Sequence, residues 1–446
     1  MGRQAKPDPR RCLVEALRRW EREKIFAAEL LEDIRRRTDF SRADRRLVTT
    51  TLNGVIRRRL TLDWLICRFS SRRPPPRTGA ARQILRISLF HLLYLDNIPP
   101  HAVLHQAGEL AGKLVTPGEK SYINGLLRSV QRAGKDLPFP PREDRAAYLS
   151  AAHSHPRWLV ERWGRDRGWD ETEKICRVNN LAPPIFARCN RLKSQPAELE
   201  SALAGEGVDW SPVPGPGGMY RIAAASDLMG LESFRGGRFL VQDLSTLRAV
   251  ELLEPVPGER IADFCAAPGG KTALIAEKMN NTGRILAADS SQARLVKLRE
   301  TVSRCGIANA VVRRVDLLEN PPGRGGGRWD GILLDVPCSN TGVLRRRVDA
   351  RWRIGYDDIL RLAGRGADLL AAAGGRVRPG GRIVYSTCSL EPEENGEVVR
   401  RFLQARTDYA LEAEESGIPR EDGGDGYYAA RLRRTDRPRP ATGTER

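Results

Sequence analysis

From about residue 236 the chain alternates between short apolar runs and longer stretches of helical character. The runs are Ile261 to Phe264, Ile285 to Ala288, Ala310 to Val315, Gly331 to Leu334 and Arg382 to Tyr385. This rhythm predicts buried strands of a mostly parallel sheet with helices on both faces. In such a sheet, ligands gather beyond the carboxyl ends of the strands, so the residues that follow each run carry the information. After the first run stands a glycine-rich turn, Cys265-Ala266-Ala267-Pro268-Gly269-Gly270-Lys271-Thr272. Asp289 follows the second run and Asp316 the third. Asp335-Val336-Pro337-Cys338 follows the fourth, and Ser386-Thr387-Cys388-Ser389 the fifth. One crevice is expected to collect all of them.

The turn at Pro268-Gly269-Gly270 lets backbone amides and a helix N-terminus approach a ligand closely. An acid at Asp289 can hydrogen-bond ribose hydroxyls, as in dinucleotide sites, and Asp316 can reach an adenine amino group. Loop, acid and acid in that order describe a nucleoside pocket. A phosphate-binding P-loop is the rival. Its Gly-Lys-Thr end fits, but Cys265 occupies the first glycine position, and Pro268 removes an amide that a phosphate cradle would use.

Two thiols beside such a pocket suit one chemistry well. A thiolate adding to carbon 6 of a pyrimidine turns carbon 5 into a nucleophile toward an electrophilic methyl group, which is covalent catalysis. A free thiol, with a pKa near about 8.5, needs a favourable setting to ionise. A second thiol can assist loss of the carbon 5 proton and release of the product. Asp335 can hold the base by its exocyclic amine or ring nitrogen. Of the eight cysteines, Cys12, Cys67, Cys176, Cys189 and Cys305 read as small buried hydrophobes. Cys265 reads as lining of the cofactor loop. No two cysteines form a C-x-x-C pair, so no metal site is expected, and their scatter is unlike a secreted disulfide scaffold.

The 446 residues suggest several domains, and the net charge of +19 points to a polyanionic partner, nucleic acid foremost. Residues 1–140 carry 28 basic and 14 acidic side chains, so most of that surplus sits in an N-terminal module. This module, 1–135, reads as helical. Leu85, Leu89, Leu92 and Leu93 share a face, as do Val103, Ala107, Leu110 and Leu114, and then Ile123, Leu126, Leu127 and Val130. Arg35 to Arg37, Arg57 to Arg59 and Arg72-Arg73 are read as a phosphate-binding surface rather than as solvated helix faces. A proline-rich linker leads to a small α+β domain over 146–235. The catalytic α/β domain spans 236–433, and 434–446 is a polar tail expected to be disordered. The start of the chain, Met1 to Pro7, has no apolar signal core, and no run reaches membrane-spanning length. A monomeric cytoplasmic protein without membrane or metal is the expectation.

Three motifs make the reading specific. Asp263-Phe264-Cys265-Ala266-Ala267-Pro268-Gly269-Gly270-Lys271-Thr272, Asp335-Val336-Pro337-Cys338-Ser339-Asn340-Thr341-Gly342 and Tyr385-Ser386-Thr387-Cys388-Ser389-Leu390-Glu391-Pro392-Glu393-Glu394-Asn395 resemble the cofactor loop and both cysteine motifs of the Sun-type RNA cytosine-5 methyltransferases. Asp425-Gly426-Tyr427-Tyr428 is similar to that family's closing strand. The first 132 residues resemble the NusB antitermination-factor fold through Ile98 to Val103, Gly108 to Ala111 and Asn124 to Leu127. A NusB-like module on this catalytic body is the arrangement of bacterial small-subunit rRNA methyltransferases. The resemblance implies a multidomain chain: an all-α NusB-like domain, a small α+β middle domain and a Rossmann-like methyltransferase domain. It implies S-adenosylmethionine as cofactor, held by Cys265 to Lys271, Asp289, Asp316 and Asp335. It makes Cys388 the nucleophile and Cys338 the aid to proton removal or release, with 16S ribosomal RNA as substrate. A tRNA substrate, or a non-catalytic role in ribosome assembly, are the rival expectations. The chain departs from relatives at Arg347-Val348-Asp349, where His-Pro-Asp is common, and at Val336, where Ala is usual.

Overall fold

A computed structural model describes residues 8–70, 79–134, 136–215, 218–223, 228–319, 329–421 and 423–435. Arg72-Arg73 and the tail from residue 436 lie outside them. The chain divides into two compact units, Met1–Leu181 with Leu344–Arg353, and Ala182–Val343 with Ile354–Arg446.

The first unit is helical, and its helices begin where the sequence offers caps. Asp8 accepts from the Arg10 amide at 2.9 Å with Pro9 at the first helical position. Thr116 and Glu119 form a reciprocal capping box that opens Pro117–Ala133. Every residue from Ala81 to His91 in the helix Gly79–Tyr94 is buried, which makes it the axis of the bundle. The apolar stripes over 103–114 and 123–130 pack on this helix. Arg86, deep in the axis, is matched by Asp63 at 2.7 Å and Glu21 at 2.6 Å. Three further helices, Arg145–His153, Arg157–Arg167 and Trp169–Val178, complete the unit.

A distant stretch of sequence also enters this core. Val348 joins the apolar cluster. Asp349 accepts the Trp20 indole N–H, and its Oδ2 accepts the Ala27 amide at 3.1 Å. Ala27 opens the helix Ala27–Arg37, whose own N-cap, Phe26, has no side-chain acceptor. The carboxylate thus caps a helix from outside it. Arg351 is wholly buried and donates to Asn180 Oδ1 at 2.9 Å and to the carbonyls of Asn179 and Ser154 at 3.0 and 3.1 Å.

The second unit holds two sheets. The smaller is antiparallel, in the order β2 (Trp210–Pro212), β3 (Met219–Ile222), β1 (Ile185–Cys189) and β4 (Phe239–Val241). The larger has seven strands, in the order β10-β11-β9-β8-β5-β6-β7. These are β5 (Arg260–Phe264), β6 (Arg284–Asp289), β7 (Ala310–Arg314), β8 (Trp329–Asp335), β9 (Val377–Thr387), β10 (Tyr409–Gly417) and β11 (Tyr427–Arg434). β5 to β9 pair in parallel, whereas β11 pairs antiparallel with both β9 and β10.

The expected fold class is what the structure has: an all-α N-terminal part, a small mixed part and a C-terminal Rossmann-like sheet. Some expectations need correction. Cys67 is exposed and Cys12 half-buried rather than core hydrophobes, because Cys67 lies off the buried face of the helix Arg59–Arg68 and Cys12 off that of Pro9–Glu23. β7 is not buried: its side chains are half-buried or exposed. It is the edge strand, covered on one side only, and Arg313 and Arg314 keep that edge from pairing further.

Asp349→Ala is expected to lower the stability of the helical unit by about 3 kcal/mol, because it orphans the Trp20 indole and uncaps a helix. Asp349→Asn, which keeps an acceptor, should lose less. Denaturant unfolding followed by circular dichroism reads the difference, and equal stability of all three proteins would refute the capping role.

Candidate active site

Register decides what meets at the carboxyl end of the sheet. Phe264 pairs with Ala288 on one side and Leu334 on the other, and Asp335 pairs with Ser386. Cys265, Asp289, Asp335 and Ser386 therefore fall on one row, and each loop leaves the sheet from that row.

The turn after β5 closes through Gly269, whose φ of 107° is a left-handed conformation that suits glycine. With the residues after β4 and β8 it lines a cavity of about 190 Å³. Cys265, Ala266, Ala267, Pro268, Gly270, Lys271 and Asp335 all face this cavity. Gly269, Asp289 and Asp316 are not among its lining residues. Asp289 is buried and braces the turn, accepting from Ala267 N at 3.3 Å and Ser291 N at 3.0 Å and pairing with Arg294. Asp316 lies two residues beyond β7, half-buried, and accepts from Leu318 N.

Sequence reasoning missed other lining groups. Asp263 is completely buried on β5, with Oδ2 accepting the Thr272 hydroxyl at 2.6 Å and Oδ1 without a partner among the described residues. Burial pushes its carboxyl up to about 7 against the opposing Thr272 hydrogen bond. It stood in plain view at the head of the glycine motif. Gln242, whose Nε2 also lacks a partner among the described residues, and Asp243 come from the turn after β4. No local pattern marked them, because they reach the cavity from the other sheet.

Burial opposes the charge of Lys271, yet Asp335 more than restores it and the ammonium is held above its ordinary range. Lys271 Nζ lies 2.7 Å from Asp335 Oδ2, while Asp335 Oδ1 accepts the Ser386 hydroxyl at 2.8 Å. Cys265 is pushed up to about 12 by burial and the nearby acids, which keeps it a thiol.

Beyond Asp335 the two cysteine loops converge. Cys338 Sγ and Cys388 Sγ stand 3.2 Å apart, and neither is in a disulfide. Cys338 is held well above the ordinary thiol range by its hydrogen bond to Cys388 and by burial, and either sulfur can be the donor. Cys388 Sγ also lies 3.4 Å from Asn340 Oδ1.

A buried carboxylate ties the loops together. Glu394 accepts from the Ser339 amide at 2.8 Å, the Ser339 hydroxyl at 2.5 Å and the Ser389 hydroxyl. Thr341 Oγ1 accepts from Leu390 N at 2.9 Å, and Gly342 N donates to the Cys388 carbonyl at 3.0 Å. At Gly342 a Cβ would stand 2.7 Å from that carbonyl oxygen and 2.9 Å from the Gly426 backbone, so nothing larger fits. Among the described residues there is no cluster that could hold a metal ion, and no helix is long and apolar enough to cross a membrane.

A Rossmann-like sheet with a glycine turn, a buried acid and paired thiols at one row of strand ends places the second unit among the α/β methyltransferases, and the comparisons agree. The model of the "16S rRNA methyltransferase RsmB/F" family matches residues 250–433, the NusB family matches 7–132, and the ferredoxin-like domain of RsmF/B-like methyltransferases matches 155–219. The probable ribosomal RNA small subunit methyltransferase B of Bacillus subtilis (strain 168) is 32% identical over 404 residues, covering 91% of this chain and 90% of that protein. The ribosomal RNA small subunit methyltransferase B of Klebsiella pneumoniae is 35% identical over 400 residues, covering 87% and 90%. A crystal structure of a methyltransferase homolog protein from Pyrococcus horikoshii superposes with a TM-score of 0.56 at 27% identity, over 65% of this chain and 99% of that one. The chain belongs to the ribosomal RNA small subunit methyltransferase B family.

Two outcomes test the site. Glu394→Ala strands one amide and two hydroxyls in a buried place and should cost about 3 kcal/mol. It should also change the rate at which iodoacetamide alkylates Cys388, followed by mass spectrometry. An unchanged rate would show that Glu394 does not position the thiols. The second concerns pH. An acid whose folded pKa is raised contributes no penalty below its unfolded value of 3.8, and stability then falls as pH rises toward about 7. Asp263→Asn should flatten that fall in thermal midpoints measured between about pH 4 and 7.

Proposed function

We propose that this protein transfers a methyl group from S-adenosylmethionine to carbon 5 of a cytidine in 16S ribosomal RNA, through a covalent bond between Cys388 and carbon 6. The observation that carries this is the 3.2 Å approach of Cys338 and Cys388 beside the Lys271–Asp335 pair and the cavity of the glycine turn. The names of the relatives support the rRNA substrate.

The residues of the cavity fit the cofactor. Asp263 Oδ1 is a buried acceptor without a donor, suited to the ammonium of an amino acid. The glycine turn offers close backbone approach, and Asp289, one strand away, suits ribose. When bound, the cofactor supplies an electrophilic methyl on a sulfonium.

The chain's own residues do the rest. Asp335, fixed by Lys271 and Ser386, accepts from the exocyclic amine of a cytosine turned out of the RNA stack. Cys388 Sγ, as thiolate beside the Cys338 S–H, adds to carbon 6. The electron pair then moves to carbon 5, which becomes the nucleophile toward the methyl group that the bound cofactor would supply. Cys338, released from its hydrogen bond, loses its proton to solvent. Its thiolate then removes the carbon 5 proton as the carbon 6–Sγ bond breaks, which restores the base and the Cys388 thiolate. The helical module, 1–135, holds the phosphate backbone, and the catalytic domain, 236–433, performs the chemistry.

Cys388→Ala is expected to abolish both methylation and adduct formation. Cys338→Ala is expected to accumulate a covalent protein–RNA complex that survives denaturing electrophoresis. Bisulfite sequencing of unmodified 16S rRNA, with tRNA in parallel, locates the product. An adduct formed by Cys388→Ala would reverse the two roles, and a signal confined to tRNA would overturn the substrate.

A further inference from the structure

The helical unit contains a second cavity, of about 650 Å³, all of whose lining residues belong to that unit. This is within the usual size of a ligand pocket, about 300–1,000 Å³. Its charges do not balance. Five cations, Lys24, Arg59, Arg82, Arg86 and Arg353, face two carboxylates, Glu21 and Asp63. Both carboxylates are already engaged. Asp63 pairs with Arg82 at 2.8 Å and Arg86 at 2.7 Å, and Glu21 with Arg86 at 2.6 Å. Arg82 and Arg86 are thus part of the frame, and Arg353 is engaged too, donating to the Lys24 and Ile25 carbonyls with Asp349 4.0 Å away, so the surplus charge rests on Arg59 and Lys24.

Arg59 is the informative one. Its guanidinium stands between two indoles, 5.4 Å from the ring centre of Trp20 and 5.7 Å from that of Trp352. Its carboxylate contact is distant, 4.0 Å to Glu21. Its Nε is buried and without a hydrogen-bond acceptor among the described residues. Arg353 lies over Trp20 at 5.8 Å, and Lys24 is exposed at the rim. A cation close to two indole rings, with an N–H left unmet, suits an anion that also carries an aromatic face.

We propose that this cavity is a binding site for one nucleotide of the substrate RNA, with its phosphate on Arg59 and Lys24 and its base against Trp352. This rests on the reading of the protein as an RNA methyltransferase. It adds a point of attachment made by side chains outside the catalytic sheet. Single-stranded RNA is the favoured form, because an unpaired base can stack on an indole while its phosphate is neutralised.

The test is filter binding of an unmodified 16S rRNA transcript to the full-length protein at several salt concentrations. Lys24→Gln with Arg59→Gln should weaken binding about tenfold and lower the salt slope by about 1 to 2. The affinity for S-adenosylmethionine, measured by calorimetry, should not change. Lys24→Glu alone, at an exposed position that leaves the core intact, should weaken RNA binding several-fold. Lys113→Gln with Arg128→Gln, which removes the same charge from exposed positions of the same unit, should do much less. An equal loss in that control would show a general field and overturn the pocket. Undiminished binding by the Lys24 variants, with the wild type binding normally, would overturn the pocket alone. A wild-type protein that binds no rRNA would sink the enzyme reading and the pocket with it.

Discussion

The in-register ending of three parallel strands is the constraint on which the site depends. Because Phe264, Leu334 and Tyr385 share a row across β5, β8 and β9, the next residues along each strand leave the sheet together. Side chains separated by some 120 positions in the chain then need only short loops to meet. A slip of one residue in any of these pairings would turn Asp335 or Asp263 to the opposite face. The rows of Ile, Leu, Val and Ala buried on both faces make such a slip expensive, so core packing sets the geometry of the chemistry.

Within that frame, charge is placed where burial makes it costly and then compensated. Lys271 and Asp335 neutralise each other at 2.7 Å. Asp263 is left half-satisfied, with one oxygen on Thr272 and the other bare. A buried acceptor of that kind costs stability unless a donor meets it. Glu394 shows the opposite arrangement, with one amide and two hydroxyls aimed at it, and its work is to hold two loops. One buried acid keeps an oxygen open to the cavity and the other locks the scaffold.

The helical unit treats its arginines similarly. Arg57 donates to the Arg345 carbonyl, Arg58 stacks on Tyr94, and Arg59 lies between two indoles. This cluster, read from sequence as part of a phosphate-binding surface, is turned inward and half-buried. Arg35 and Arg37, by contrast, are exposed and pair with Glu32 and Asp33 on their own helix. A run of basic letters carries no information about which side chains face water. That is fixed by aromatic partners brought from elsewhere in the chain, Trp352 among them.

The alternation of apolar runs and helical stretches, together with the residues that punctuate it, was enough to determine the parallel sheet, its glycine turn and the two cysteine loops. Local pattern encodes strand and helix directly, and the ends of parallel strands lie on one side by topology. The sequence also marked Cys338, Cys388, Lys271 and Asp335 as neighbours. What it could not determine was which members of the motifs face the cavity and which brace it. Asp289, which braces the turn, and Gly269 do not line the cavity, whereas Asp263 and Gln242 do. Nor could it show that Asp349 caps a helix more than three hundred residues earlier. Those facts depend on contacts between segments remote in sequence. Only the folded chain, by choosing which polar atoms are left without partners, decides where a ligand can bind.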